Sequence, residues 1–117
     1  MGESFCYLTT IGRVTGKPHE IEIWFGVEGN TLYMLSGGGE KSDWVRNIRR
    51  EPAVKVRVDE RTYEGRGRLV APDSTEDGLA RRLLMAKYAA GYGGDLSDWG
   101  RTALPVAVDI SVTVGVV

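Results

Sequence analysis

The stretch Ala53-Val54-Lys55-Val56-Arg57-Val58-Asp59-Glu60-Arg61-Thr62-Tyr63-Glu64-Gly65-Arg66-Gly67-Arg68-Leu69-Val70 decides the fold class. From Ala53 to Val58, valines at 54, 56 and 58 alternate with Lys55 and Arg57. Successive side chains of a strand point to opposite faces, so this is a strand with one dry face and one wet face. Asp59-Glu60 turns the chain, and a second alternating strand runs from Thr62 to Val70. Gly65 and Gly67 fall inside it. Glycine within a strand marks a bulge or a sharp bend, which a sheet needs if it is to curl on itself.

Working outward, the same strand chemistry recurs. Ser4 to Ile11 is aromatic and β-branched, His19 to Val27 begins with charged and apolar residues in alternation, and Thr31 to Leu35 follows a Glu28-Gly29-Asn30 turn. Pro105 to Val116 sets Val106, Val108, Ile110, Val112 and Val114 on one face. Two helices interrupt the strands. One is expected from about Ser42 to Arg50, capped by Ser42, started with Asp43 and stopped by Pro52. The other opens at Ser74 or Thr75, continues through Leu79, Leu83, Leu84, Lys87 and Tyr88, and ends in Gly91-Tyr92-Gly93-Gly94. The reading is a mainly β chain with short helices (α+β): six strands closing into a barrel, which removes the exposed edges of an open sheet. Strands and helices do not alternate, which excludes a doubly wound nucleotide-binding fold.

The bulk numbers set limits on function. At 117 residues the chain fits one domain, 1–117. Apolar residues make up 42% and charged residues 26%, and the net charge is -1. No global field therefore draws the protein to nucleic acid, and Arg46, Arg49, Arg50 and Arg57 are balanced by nearby acids. No apolar run approaches the roughly 20 residues of a membrane span. The first residues carry no signal-peptide pattern, so a cytoplasmic protein is expected. Cys6 is the one cysteine and His19 the one histidine, which excludes an internal disulfide and an ordinary zinc site. Cys6, in an apolar strand, reads as a small buried hydrophobe.

Two loops are candidates for chemistry, the alternatives being a solvated basic hairpin for the first and a flexible loop for the second. Gly12-Arg13-Val14-Thr15-Gly16-Lys17-Pro18-His19 gathers two cations, a hydroxyl and an imidazole between two strands. Its glycines let backbone N–H groups approach an anion, and Arg13 and Lys17 supply charge-assisted donors. The spacing is not that of a P-loop. Ser36-Gly37-Gly38-Gly39-Glu40-Lys41, at a strand end ahead of a capped helix, is a platform for an anion or a planar ring. A tight hairpin between His19–Val27 and Thr31–Leu35 would put both loops at one end of the sheet. On the first helix, Trp44 reads as a core anchor and Asn47 as a cap or a bond to backbone. Tyr88 and Tyr92 are candidates to line a pocket, or to pack. No catalytic residue is legible.

Two ordered blocks resemble the deazaflavin-dependent nitroreductase family. Leu8-Thr9-Thr10-Ile11-Gly12-Arg13-Val14-Thr15-Gly16-Lys17-Pro18 resembles an opening motif that often reads L-T-T-x-G-R-K-T-G-x-P-R. Tyr33 to Gly39, then Trp44, Asn47 and Pro52, resembles a second block of strand, S-x-G-G and W-x-x-N-x-x-x-x-P. The resemblance spans residues 5–71. It implies a split β-barrel of the FMN-binding type and binding of coenzyme F420, a deazaflavin with a phosphate and oligoglutamate tail. By position it assigns Arg13, Thr15, Lys17 and His19 to the tail, Ser36, Gly37, Gly38 and Lys41 to the ring and linker, and Trp44 and Asn47 to the site's frame. Val14 and His19 stand where basic residues are common, so two fixed charges are missing from the anion site. The implied activity is hydride transfer to a small planar acceptor: a quinone, a nitroaromatic or an enone. FMN in place of F420, and a ligand-binding protein without catalysis on the same fold, are the alternatives. Split barrels of this kind often pair, so a homodimer is expected.

Overall fold

The computed structural model describes residues 4–116, and for the last five of these the backbone alone. Seven strands form one antiparallel sheet: β1 (Cys6–Ile11), β2 (Pro18–Ile23), β3 (Gly26–Glu28), β4 (Thr31–Ser36), β5 (Ala53–Val58), β6 (Arg61–Leu69) and β7 (Leu104–Val116). Their order across the sheet is β2-β1-β5-β6-β7-β4-β3. The two edge strands, β2 and β3, are consecutive in the chain and separated only by Trp24 and Phe25. Three Cα–Cα steps reach at most roughly 11 Å, so the opposite edges of a seven-stranded sheet must come that close. The sheet is therefore curled into a split barrel.

The count corrects the six strands expected from sequence, and the correction has one cause. His19 to Val27 is not one strand paired with Thr31–Leu35. Its first part, as β2, pairs with β1, from Cys6–Ile23 to Ile11–Pro18, while Gly26–Glu28 pairs with β4. At the break Phe25 is buried and Trp24 stacks on Tyr88, with ring centroids 4.4 Å apart and planes 4° from parallel. The Tyr88 hydroxyl accepts from the Phe25 N–H at 3.0 Å and lies within donating distance of the Phe25 carbonyl at 3.1 Å and the Ser4 carbonyl at 2.7 Å. A buried backbone amide must be paired, and here the Tyr88 hydroxyl replaces the ladder, with Lys87 Nζ donating to the Phe25 carbonyl beside it.

β5 carries the alternation read from sequence, with Val54, Val56 and Val58 buried. Register shifts lie between Arg61 and Thr62 and between Glu64 and Gly65. At Gly65 a Cβ would stand 2.5 Å from the Asp109 carbonyl oxygen, and at Gly67 one would stand 2.8 Å from Ile48 Cγ2. These glycines let β6 bend against β7 and let a helix sit on it. That helix, α1 (Asp43–Arg50), buries Val45 and Ile48 against the barrel core of Leu8, Phe25, Met34, Val56, Val106 and Val108.

A second core lies outside the barrel. Tyr33, Leu35 and Ala107 point the other way from Leu32, Met34, Val106 and Val108 and meet Ala80, Leu84 and Tyr88 of α2 (Thr75–Tyr88). The Ser74 side chain caps α2 by accepting from the Asp77 N–H. Arg68 forks between Glu76 and Asp109, and Tyr33 donates to Glu76 at 2.6 Å, so the start of α2 is pinned to β4, β6 and β7. A short helix, α3 (Ser97–Thr102), occupies what reads as a polar stretch in the sequence. No helix among the described residues is long and apolar enough to cross a membrane.

Candidate functional site

The turn between β1 and β2 is a tight structure. Gly12 N–H donates to the Lys17 carbonyl and Gly16 N–H to the Gly12 carbonyl, both at 2.8 Å, and Gly16 takes φ +73°, which favours glycine. The Thr15 hydroxyl oxygen accepts from the Lys17 N–H. The turn is fastened to α1 by Asn47, whose side chain is 4% exposed. Asn47 Oδ1 accepts from the Arg13 N–H at 3.1 Å and from Arg13 Nη1 at 2.9 Å, while Nδ2 donates to the buried Thr10 hydroxyl at 3.1 Å. Arg13 Nη2 donates to Asp43 at 3.1 Å.

Between turn and helix lies a pocket of about 440 Å³. Arg13, Thr15 and His19 line it from the turn and β2, and Trp44 and Asn47 from α1. Glu20 and Asp43 line it as well, Asp43 being paired with Arg13. Lys17 and His19 are exposed, Lys17 outside the lining and His19 at its edge. Trp44 is half-buried; it packs on the barrel core and gives its other surface to the pocket.

The second expected loop is built differently. Ser36 is buried, and its hydroxyl donates to the Gly39 carbonyl at 3.0 Å and meets the Ser42 hydroxyl at 2.8 Å. Ser42 stands at the start of α1 without a side-chain capping bond; a 3-10 turn over Gly39–Lys41 precedes it. Gly37, Gly38 and Lys41 are exposed on the arc so formed. They lie outside the turn pocket, and Gly37 comes close to a second one: a Cβ there would lie 3.7 Å from Trp99 Cδ1. The structure thus brings Arg13, Thr15, His19, Trp44 and Asn47 to one cavity and sets Ser36, Gly37, Gly38 and Lys41 apart from it.

This second pocket, of about 670 Å³, is walled by Trp24, Tyr92 and Trp99, with Leu35 on its floor strand. Of these, sequence reasoning named only Tyr92 as a pocket candidate; Trp24 and Trp99 were missed. Trp24 sits in the strand break and Trp99 on the unforeseen α3. The spacing of Leu96, Trp99, Gly100 and Ala103 is the one local signal of that helix. The two pockets adjoin β2 in succession, Glu20 and Ile21 lining the first and Glu22 and Ile23 the second.

Few ionisable groups are displaced from their ordinary behaviour. Burial pushes the Cys6 thiol up to about 12, so it stays protonated inside the barrel. Burial, reinforced by the hydrogen bond to Glu76, pushes the Tyr33 hydroxyl up to about 12. Hydrogen bonds from Arg68 hold the Glu76 and Asp109 carboxyls below the usual carboxylate range. These groups belong to the core and to the anchor of α2; in the second pocket, hydrogen bonds from Ser97 hold the Asp95 carboxyl below its ordinary value. Among the described residues no cluster of three or more His, Cys, Asp or Glu is placed to hold a metal ion.

A curled antiparallel sheet with short helices on its outside, and cavities between helix and barrel, defines a split β-barrel of the flavin and pyridoxamine-phosphate oxidase kind. Solved structures of that shape match this chain closely in space and distantly in sequence. A Listeria innocua protein provisionally assigned as a pyridoxamine 5′-phosphate oxidase is 18% identical over 96% of this chain and 87% of its own, with a TM-score of 0.69. A structure described as an F420 reductase is 23% identical over 94% of this chain and 88% of its own, with a TM-score of 0.67. An F420-H2 dependent reductase (FDR-A) is 19% identical over 91% of this chain and 94% of its own, with a TM-score of 0.71. Identities this low speak for the fold alone. The family is shown by a sequence model for F420H(2)-dependent quinone reductase, which matches residues 1–111. The chain belongs to that family.

Proposed function

We propose that this protein transfers hydride from reduced F420 to a small planar acceptor such as a quinone, a nitroaromatic or an enone. The observation that carries the reading is the turn pocket, where a guanidinium, a hydroxyl and an imidazole stand beside the carboxylates of Glu20 and Asp43 and Asn47 ties turn to helix, within a chain of this family. The residues present fit an anionic tail. Arg13, Thr15 and His19 offer a guanidinium, a hydroxyl and an imidazole around one cavity. A Cβ at Gly12 would stand 2.6 Å from His19 Nε2 and 2.8 Å from Thr15 Oγ1, so glycine leaves these donors close to the backbone.

In this reading Arg13, Thr15, Lys17 and His19 hold the phosphate-bearing tail, and Gly37, Gly38 and Lys41 border the ring and its linker. When bound, the reduced deazaflavin supplies the hydride, so the protein contributes no nucleophile. The work of the chain is placement. Asn47 fixes the direction of the Arg13 guanidinium, Trp44 walls the tail pocket, and Ser36 sets the arc of the glycine loop through Gly39 and Ser42.

The test is a titration of the purified protein with F420 in both redox states and with FMN. Lys17→Ala and His19→Ala remove exposed side chains and leave the core intact. A charged hydrogen bond is worth about 1.5–3 kcal/mol, so each variant is expected to weaken F420 binding about tenfold or more. Unchanged affinity in both refutes the assignment of this turn. Binding of FMN without F420 keeps the fold and replaces the cofactor.

A further inference from the structure

The second pocket has a chemistry of its own. Trp24 forms one wall, and Tyr92 and Trp99 stand nearly perpendicular to it, at 82° and 89°, with ring centroids 5.9 and 5.6 Å away. The stacked Tyr88 covers the far side of the Trp24 ring. Around these rings are three carboxylates, Glu22, Asp95 and Asp98, and no lysine or arginine lines the cavity. Asp98 is paired with Arg101, while Asp95 accepts from the Ser97 N–H and hydroxyl, which hold it in its charged form. Tyr92 is 48% exposed, one of the few large apolar side chains left open on the surface. The faces of aromatic rings are negative, and walls set at right angles with carboxylates at the rim are the arrangement that attracts a cation whose charge is spread over carbon. The turn pocket, by contrast, sets an arginine and a histidine beside its two carboxylates.

We propose that the pocket of Trp24, Tyr92 and Trp99 binds an organic cation, a planar N-alkylated heteroaromatic ring, as the second substrate. The proposal goes beyond the neutral acceptors named above by adding a cationic class, and for its redox step it rests on the reductase reading. The chemistry balances without a proton donor from the protein. A hydride forms a new C–H bond at a ring carbon of the acceptor, and the cation becomes its neutral dihydro form. The deazaflavin is oxidised by two electrons, and its remaining hydrogen leaves to water as a proton. A pocket whose acids are carboxylates in their charged form is suited to such an acceptor.

The test uses two molecules of one shape: the 1-methylnicotinamide cation and its neutral isostere 3-methylbenzamide. Binding to the purified protein is measured by calorimetry without any cofactor. The cation is expected to bind about tenfold more tightly than the amide, the worth of a cation–π contact reinforced by carboxylates. The double variant Asp95→Asn with Asp98→Asn is expected to reduce that preference to the few-fold that the rings and Glu22 supply, and to leave the amide's affinity unchanged. Tyr92→Leu, at an exposed position that does not endanger folding, is expected to weaken the cation severalfold. Equal affinities, a preference for the amide, or no binding of either overturns the proposal. The F420 titration is independent: selectivity for the cation without F420 binding keeps the site and removes its role as the acceptor pocket.

Discussion

Replacing Asn47 with alanine tests the joint on which the turn pocket depends. The substitution removes three hydrogen bonds, two to Arg13 and one to Thr10. Neutral bonds contribute about 1 kcal/mol each and one from a guanidinium about 1.5–3, which places the loss at about 3.5–5 kcal/mol if no water replaces the amide. Thr10, 1% exposed, would be left without that partner in the core. For a domain of this size each kcal/mol moves the melting temperature by about 4 °C, so Asn47→Ala is expected to melt roughly 14–20 °C lower. Asn47→Asp is the control. It keeps the oxygen that accepts both Arg13 bonds and lets the Thr10 hydroxyl donate to the other oxygen, so its stability should lie within about 1 kcal/mol of the parent. Urea unfolding of the three proteins, with F420 titrations beside it, reads both consequences. The affinity of Asn47→Ala should fall with its stability, because Arg13 loses its anchor. A loss under about 1 kcal/mol in Asn47→Ala, or an aspartate variant as unstable as the alanine one, would refute the reasoning.

Three further outcomes are expected. Gly65→Ala, whose new Cβ would meet the Asp109 carbonyl at 2.5 Å, should cost about 1–3 kcal/mol in urea unfolding, whereas Gly91→Ala, with nothing within 4 Å, should cost almost nothing. The carboxyls of Glu76 and Asp109 are depressed by Arg68, so the stability they contribute is present above about pH 4 and disappears as the pH falls through their lowered values. Arg68→Met should therefore flatten the acid limb of the stability curve, and an unchanged limb would assign acid unfolding elsewhere. The Cys6 thiol, pushed up to about 12 by burial, should resist alkylation in the native protein at mild alkaline pH and react at once in urea; rapid native labelling would contradict its burial.

The strands were legible where one face alone is wet. β5 reads straight off its valines because Lys55 and Arg57 mark the outer face, and Gly65 and Gly67 announce the bend in β6. The break between β2 and β3 was not legible. Trp24 and Phe25 are good strand residues, and what interrupts the ladder is a tyrosine more than sixty residues away. The seventh strand was missed for that reason. α3 was hidden because six residues with one buried face give too little periodicity to stand out. At the site, the basic turn and the glycine loop were visible as composition. Their arrangement was not: the turn meets α1 through Asn47, and the glycine loop meets the aromatic pocket through Gly37 and Trp99. Those contacts depend on the curl of the sheet, which no local window contains.

The two-residue link at Trp24 and Phe25 also has a kinetic consequence. It is the seam where the curled sheet nearly meets itself, and its backbone is held by the Tyr88 hydroxyl at the end of α2. The same link places Trp24 in the wall of the aromatic pocket. If α2 lifts at its end, the latch on the seam is released and the pocket loses the support behind that wall in the same movement. If the proposed guest rests on Trp24, it is expected to slow the unzipping of the barrel, and exchange at the Phe25 amide would report both.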